Sequence, residues 1–187
     1  MLNSISERFH RWAKGWLVIV MLILDALFMG YVMPACGAIM ALLANNSVTP
    51  LDLMFYYTPA EAFDMISQYG DAGRAFYRNV ELTADIIYPV IYTIFYGVLI
   101  SWLFNRAFKP DSKMKKLNVM PVGAWLFDLL ENTGIVSMLS VFPTQPAIIA
   151  WATMAFGLIK WTFAILSIVL SLVGLVMALK NGFKKQE

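Results

Sequence analysis

The chain has 187 residues, 60% of them hydrophobic and only 14% charged, with a net charge of +2. A soluble domain carries about 25% charged residues, so this composition excludes an ordinary soluble domain and predicts one integral membrane domain over residues 1–187. The single cysteine, Cys36, excludes an internal disulfide and a CxxC redox pair, and the single histidine, His10, excludes bis-histidine haem ligation and His-rich di-iron chemistry.

A membrane span needs about 20 mostly apolar residues. The first 15 residues are basic, with Arg8, Arg11 and Lys14 against Glu7, and the first apolar run follows at about 16–44. Asp25 interrupts that run, too long and too polar for a cleaved secretory signal. Pro34 predicts a kink or an exit point.

The loop at 45–83 is acidic: Asp52, Glu61, Asp64, Asp71 and Glu81 stand against Arg74 and Arg78. Within it, Thr58-Pro59-Ala60-Glu61 is a helix start, with threonine as cap, proline in the first turn and glutamate reaching back. Ala62, Phe63, Met65, Ile66 and Tyr69 then predict an amphipathic helix ending at Gly70, lying on the membrane or capping the helices. The aromatic stretch Leu51 to Tyr57 is expected in the interface. A second loop helix, starting near Asp71, is expected to flow into the next span. Arg74, Arg78, Glu81, Asp85, Tyr88 and Tyr92 follow steps of four and three, which hold a polar stripe on one face.

The second span is expected at 85–104 and the third at 119–142, separated by a basic loop with Arg106, Lys109, Lys113, Lys115 and Lys116. In the third, Asp128, Glu131 and Asn132 share a face at i, i+3 and i+4. At 1.5 Å per residue, Glu131 lies about 18 Å from Val119, near mid-bilayer. The turn Pro143-Thr144-Gln145-Pro146 leads to the fourth span at 147–179. There Thr153, Gly157, Lys160, Ala164, Ser167, Ser171, Gly174 and Ala178 alternate steps of four and three, a seam of small residues of the kind that lets membrane helices approach closely. Lys160 sits in that seam and is expected to point inward. A basic tail with Lys180, Lys184 and Lys185 follows.

These elements predict an all-α, four-helix membrane bundle with one or two amphipathic outer-loop helices between spans one and two. Eleven of the 14 Lys and Arg residues fall in the two terminal segments and the 105–118 loop. The positive-inside rule therefore places both termini and that loop in the cytoplasm, and the compactness and loop charges suit a bacterial inner membrane.

An ionisable group at membrane depth is costly, about 2.5–3.5 kcal/mol on insertion scales. The candidate ligand-binding or proton-relay residues are therefore Asp25, Asp85, Tyr88, Asp128, Glu131, Asn132 and Lys160, with Arg74 and Arg78 as the outer mouth. The spacing leaves either Asp85 or Glu131 as partner for Lys160. Four buried acids and one base leave a charge of −3 if all ionise. That imbalance favours a site binding or translocating a small polar, cationic or lipid-like ligand from the outer leaflet. The alternatives are an intramembrane enzyme using carboxylates as acid and base on a lipid or isoprenoid-like substrate, and a structural or assembly subunit whose ion cluster fixes helix register. No nucleophilic triad, metal site or cofactor is expected; the 12 methionines read as core filling. Membrane lipids are the expected surroundings, a homodimer is compatible with the small size, and no nucleic-acid partner is expected.

Overall fold

The computed structural model describes residues 1–184, and Lys185 and Glu187 of the basic tail lie outside them. Among the described residues the chain is all helical. In order, the helices are α1 (Leu2–Trp12), α2 (Gly15–Leu27), α3 (Met33–Ala44), α4 (Pro59–Gln68), α5 (Gly70–Glu81), α6 (Ala84–Ala107), α7 (Met120–Val141) and α8 (Ala147–Lys184). Two short 3₁₀ segments, Leu51–Leu53 and Lys113–Val119, fall between them.

Three stretches are long and apolar enough to cross a membrane: Gly15–Ala44, Gly70–Ala107 and Ala147–Gly182. Their outward side chains are apolar, for example Ile19, Ile23 and Leu42 on the first and Leu172, Val176 and Leu179 on the last. Helix α7 has 22 residues, enough for a span by length. It is not among the three, because Asp128, Glu131 and Asn132 depress its apolar character.

The first stretch shows how proline shapes these helices. Residues Phe28–Val32 form a π-helical turn, and the Met33 amide bonds back five residues to the Phe28 carbonyl. Pro34 has no N–H and its ring crowds the carbonyl four residues earlier. Widening the turn relieves that crowding without ending the helix. Asn45, at φ 50°, then ends α3 in the left-handed conformation.

The chain folds as two compact units. The first comprises Met1–Asp25, Val90–Trp125 and Thr162–Glu187. Here α1 packs on the Lys113–Val119 segment. Fully buried Asn118 donates to the Ser6 carbonyl (3.0 Å) and the Ser101 hydroxyl (2.8 Å), tying three segments together. Glycines allow close contact: a Cβ at Gly97 would strike the Phe9 ring, one at Gly123 the Phe163 ring, and one at Gly174 Leu103 and Phe104. The His10 Nε2 hydrogen-bonds the Lys115 carbonyl at 3.1 Å. Burial holds the His10 pKa below its ordinary 6.5, against the opposing effect of that hydrogen bond. The unfolded chain therefore takes up this proton at higher pH than the folded one. The stability His10 contributes is present above pH 6.5 and lost as pH falls through the lower folded value. The protection of the α1 amides, taken relative to intrinsic exchange at each pH, should fall on acidification over that window, and His10→Gln should flatten the profile.

The second unit comprises Ala26–Pro89 and Leu126–Trp161. Its core gathers Met40, Leu51, Tyr57, Phe63, Ile66, Tyr69, Tyr77, Ile135 and Met138. The expected start of α4 is present: the Thr58 hydroxyl accepts from the Glu61 amide, and the Glu61 carboxylate accepts from the Thr58 amide at 2.7 Å. Thr58→Ala should cost about 1 kcal/mol of local stability, read as faster amide exchange in the first turn of α4. Gly70 makes the break that follows, at φ +63°.

One expectation needs correction here. The stretch Leu51 to Tyr57 does not lie wholly in the interface: Leu51 and Tyr57 are buried in the protein core, and Phe55 and Tyr56 are exposed. As expected, the second loop helix leads into the next span, through a turn at Leu82–Thr83 within the stretch Gly70–Ala107. Helix α5 packs on α3, with Gly73 against Ala44.

Candidate functional site

The second unit buries five carboxylates, those of Asp52, Glu81, Asp85, Asp128 and Glu131, together with the ammonium of Lys160. Each arrives by a local cause. In α8 the small-residue seam turns inward, so Thr153, Gly157 and Lys160 are buried while Leu158 and Ile159 are exposed. Gly157 leaves room for a carboxylate: a Cβ there would run into Glu131 Oε1 and come within 3.1 Å of its Cδ. Glu131 and Lys160 can therefore meet, with Nζ 2.5 Å from Oε2. Asp128, one turn earlier on α7, lies 3.8 Å from the same ammonium. Lys160 also donates to the Asp52 backbone carbonyl at 3.4 Å. Of the two partners the spacing left open, the structure pairs Lys160 with Glu131.

Asp85 is held differently. Pro89 lies inside α6, four residues after Asp85, and has no N–H for the Asp85 carbonyl. Asn132 donates to that carbonyl at 2.8 Å. The Asp85-x-x-Tyr88-Pro89 and Asp128-x-x-Glu131-Asn132 patterns thus meet in one hydrogen bond: the proline frees a carbonyl and the asparagine on α7 satisfies it. The Asn132 side-chain oxygen is buried with no hydrogen-bond partner.

Asp52 and Glu81 are buried in the site although neither is among the candidates read from the sequence. The 3₁₀ turn buries Asp52 beside Tyr77, whose hydroxyl donates to Asp52 Oδ1 at 2.6 Å. Glu81 is only 1% exposed, and its Oε2 has no hydrogen-bond partner. The step-of-four-and-three stripe had already placed Glu81 on the face of Asp85. No comparable signal marked Asp52, which is buried beside Tyr77, 25 residues along the chain. The Tyr57 hydroxyl is also buried and without a hydrogen-bond partner. Burial raises its pKa, Glu131, Asp52 and Glu81 raise it further, and Lys160 opposes them. The phenol therefore stays neutral and lies within electrostatic reach of all four groups. Trp161 flanks the site, 5.4 Å from the Lys160 ammonium and 5.0 Å from the Phe55 ring.

The remaining candidates are Asp25, Tyr88, Arg74 and Arg78. Asp25 belongs to the first unit, buried with one oxygen lacking a hydrogen-bond partner. Tyr88 is half-buried and stacks on Phe28, with ring planes 5° apart. Arg74 pairs with Asp71, donates to the Ile66 carbonyl at 3.1 Å and covers the Phe142 ring at 4.3 Å. Arg78 is half-buried on the same helix.

The chain matches no protein-family model, no curated protein and no solved structure. Its chemistry is therefore read from the site. Five carboxylates against one ammonium sum to −4 if all ionise. Such a group attracts cations, exchanges protons, or does both.

Proposed function

We propose that this chain is a four-span membrane protein whose carboxylate–lysine cluster binds, and in the bilayer translocates, a small cationic ligand. The carrying observation is the surplus of buried carboxylates over Lys160. Polar and lipid-like ligands fit the sequence pattern equally well, but a surplus of this sign selects for positive charge. A purely structural cluster accounts for the Lys160–Glu131 pair, not for the four further buried acids. In this reading α7 is the remaining span, admitted by the polar face it turns to its neighbours. Both termini lie in the cytoplasm of a bacterial inner membrane, the ligand enters from the outer leaflet, and Arg74 and Arg78 flank the entrance. Membrane lipids surround the protein, and a second copy is compatible with its size.

The test is thermal unfolding of the detergent-purified protein against a panel of metal cations, organic amines and lipid headgroups. At least one cationic compound should raise the midpoint in the parent and not in a variant carrying both Asp85→Asn and Glu131→Gln. Stabilisation confined to neutral or anionic lipids would overturn the reading. Cysteine labelling at Asn46 and Ser112 checks the topology: the first should react from outside and the second only from inside.

A further inference from the structure

One carboxylate oxygen from each of Asp52, Glu81 and Asp85 lies within 4.8 Å of the others, and all three residues are buried. Three acids rarely gather in a protein interior without a counter-charge, because each ionised neighbour disfavours the next. Lys160 fills that role only in part: its nearest carboxylates are Glu131 and Asp128, and one ammonium faces five buried acids.

Two further observations point to a ligand there. Both Glu81 Oε2 and Asp85 Oδ2 lack hydrogen-bond partners. Independently, two neutral oxygens next to the triad are also unsatisfied, the Asn132 side-chain oxygen and the Tyr57 hydroxyl, at 4% and 1% exposure. Asn132 is anchored beside Asp85 by its bond to the Asp85 carbonyl, and Tyr57 lies within electrostatic reach of Glu131 and Lys160 and also of Asp52 and Glu81. A buried polar atom without a partner is costly, so the unsatisfied oxygens of Glu81, Asp85 and the adjoining Asn132 call for an occupant.

We propose that Asp52, Glu81 and Asp85 form the binding site of an oxygen-preferring divalent cation of the Ca²⁺ class, with Asn132 and Tyr57 as neutral ligands. Ca²⁺ holds oxygens at about 2.3–2.6 Å, so its ligand oxygens lie up to about 5 Å apart, which admits the triad. The donor set is all oxygen, and hard cations prefer such sets over softer metals, which select imidazole or thiolate. Mg²⁺ keeps several waters and is seldom held by an all-protein cage. The proposal rests on the cation-binding reading above and narrows it to one ion class and one set of ligands.

The experiment uses the full chain, purified in detergent and stripped with chelator. Calorimetric titration with Ca²⁺ should give one site per chain, and Mn²⁺ should bind the same site as an immobilised paramagnetic ion that Ca²⁺ displaces. Asp85→Asn and Glu81→Gln should each weaken binding at least tenfold and abolish the metal-induced rise in unfolding midpoint. Their metal-free forms should be no less stable than the metal-free parent, because each removes like-charge repulsion. If an amide variant does not fold, the infrared carboxylate bands of the parent decide, since Ca²⁺ should shift them reversibly. Absence of saturable binding or of that shift in the parent would overturn the proposal, as would undiminished binding in the folded amide variants. An organic amine that stabilises the parent through Glu131, with no metal binding, would sink the metal site and leave the broader reading standing. Failure of both probes would sink both.

Discussion

Lys160→Met should destabilise the protein by about 3–5 kcal/mol, the effect of leaving a buried charge without its partner. The ammonium it removes lies 2.5 Å from Glu131 and 3.8 Å from Asp128, and Gly157 and the α8 seam hold it there. Adding Glu131→Gln should recover most of the loss, because a neutral amide needs no counter-charge. Unfolding in detergent can be followed by tryptophan fluorescence, with Trp161 adjacent to the substituted position. If Lys160→Met is as stable as the parent, the pair contributes no electrostatic stabilisation and the charge argument for the site fails.

The second large effect concerns a neutral group. Asn132→Leu should cost about 1–3 kcal/mol, since it strips the Asp85 carbonyl of its donor in a buried place. The loss should depend on Pro89. Alanine at position 89 supplies an N–H to the same carbonyl within α6, so Asn132→Leu should be milder on a Pro89→Ala background. A double-mutant cycle should return a coupling of about 0.5–3 kcal/mol. Additive losses would mean that Asn132 acts through something other than that carbonyl, and the link between the two sequence patterns would be lost.

Much of the site was legible because helical spacing carries it. Thr153, Gly157, Lys160, Ser167, Ser171 and Gly174 follow one seam in sequence, and all six are buried. Asp128, Glu131 and Asn132 share a face of α7 by spacing, and all three are buried. Glu81 lay on the polar stripe with Asp85 and proved to be part of the cluster. Arg74, on the same stripe, instead meets Asp71 and Phe142 locally. Periodicity says which residues share a face, and not what that face meets.

The loop shows where such reasoning stops. Thr58 and Glu61 specify the start of α4 through atoms three residues apart, and Gly70 specifies its end through one backbone angle; both were readable. Asp52 was not, because a 3₁₀ turn of three residues has no period to read and its burial depends on Tyr77, 25 residues away.

By itself, then, the sequence determined the helical class, three of the four expected apolar stretches, the start of α4 and the inward face of α8. Those depend on composition and on contacts within a few residues. Only the tertiary structure decided that Lys160 meets Glu131, that Asn132 completes the turn opened by Pro89, and that Asp52, Glu81 and Asp85 converge. Each of those joins groups from separate segments of the chain, and the meeting at Glu131 depends on the room that Gly157 leaves for its carboxylate. Local spacing carries no record of that distance.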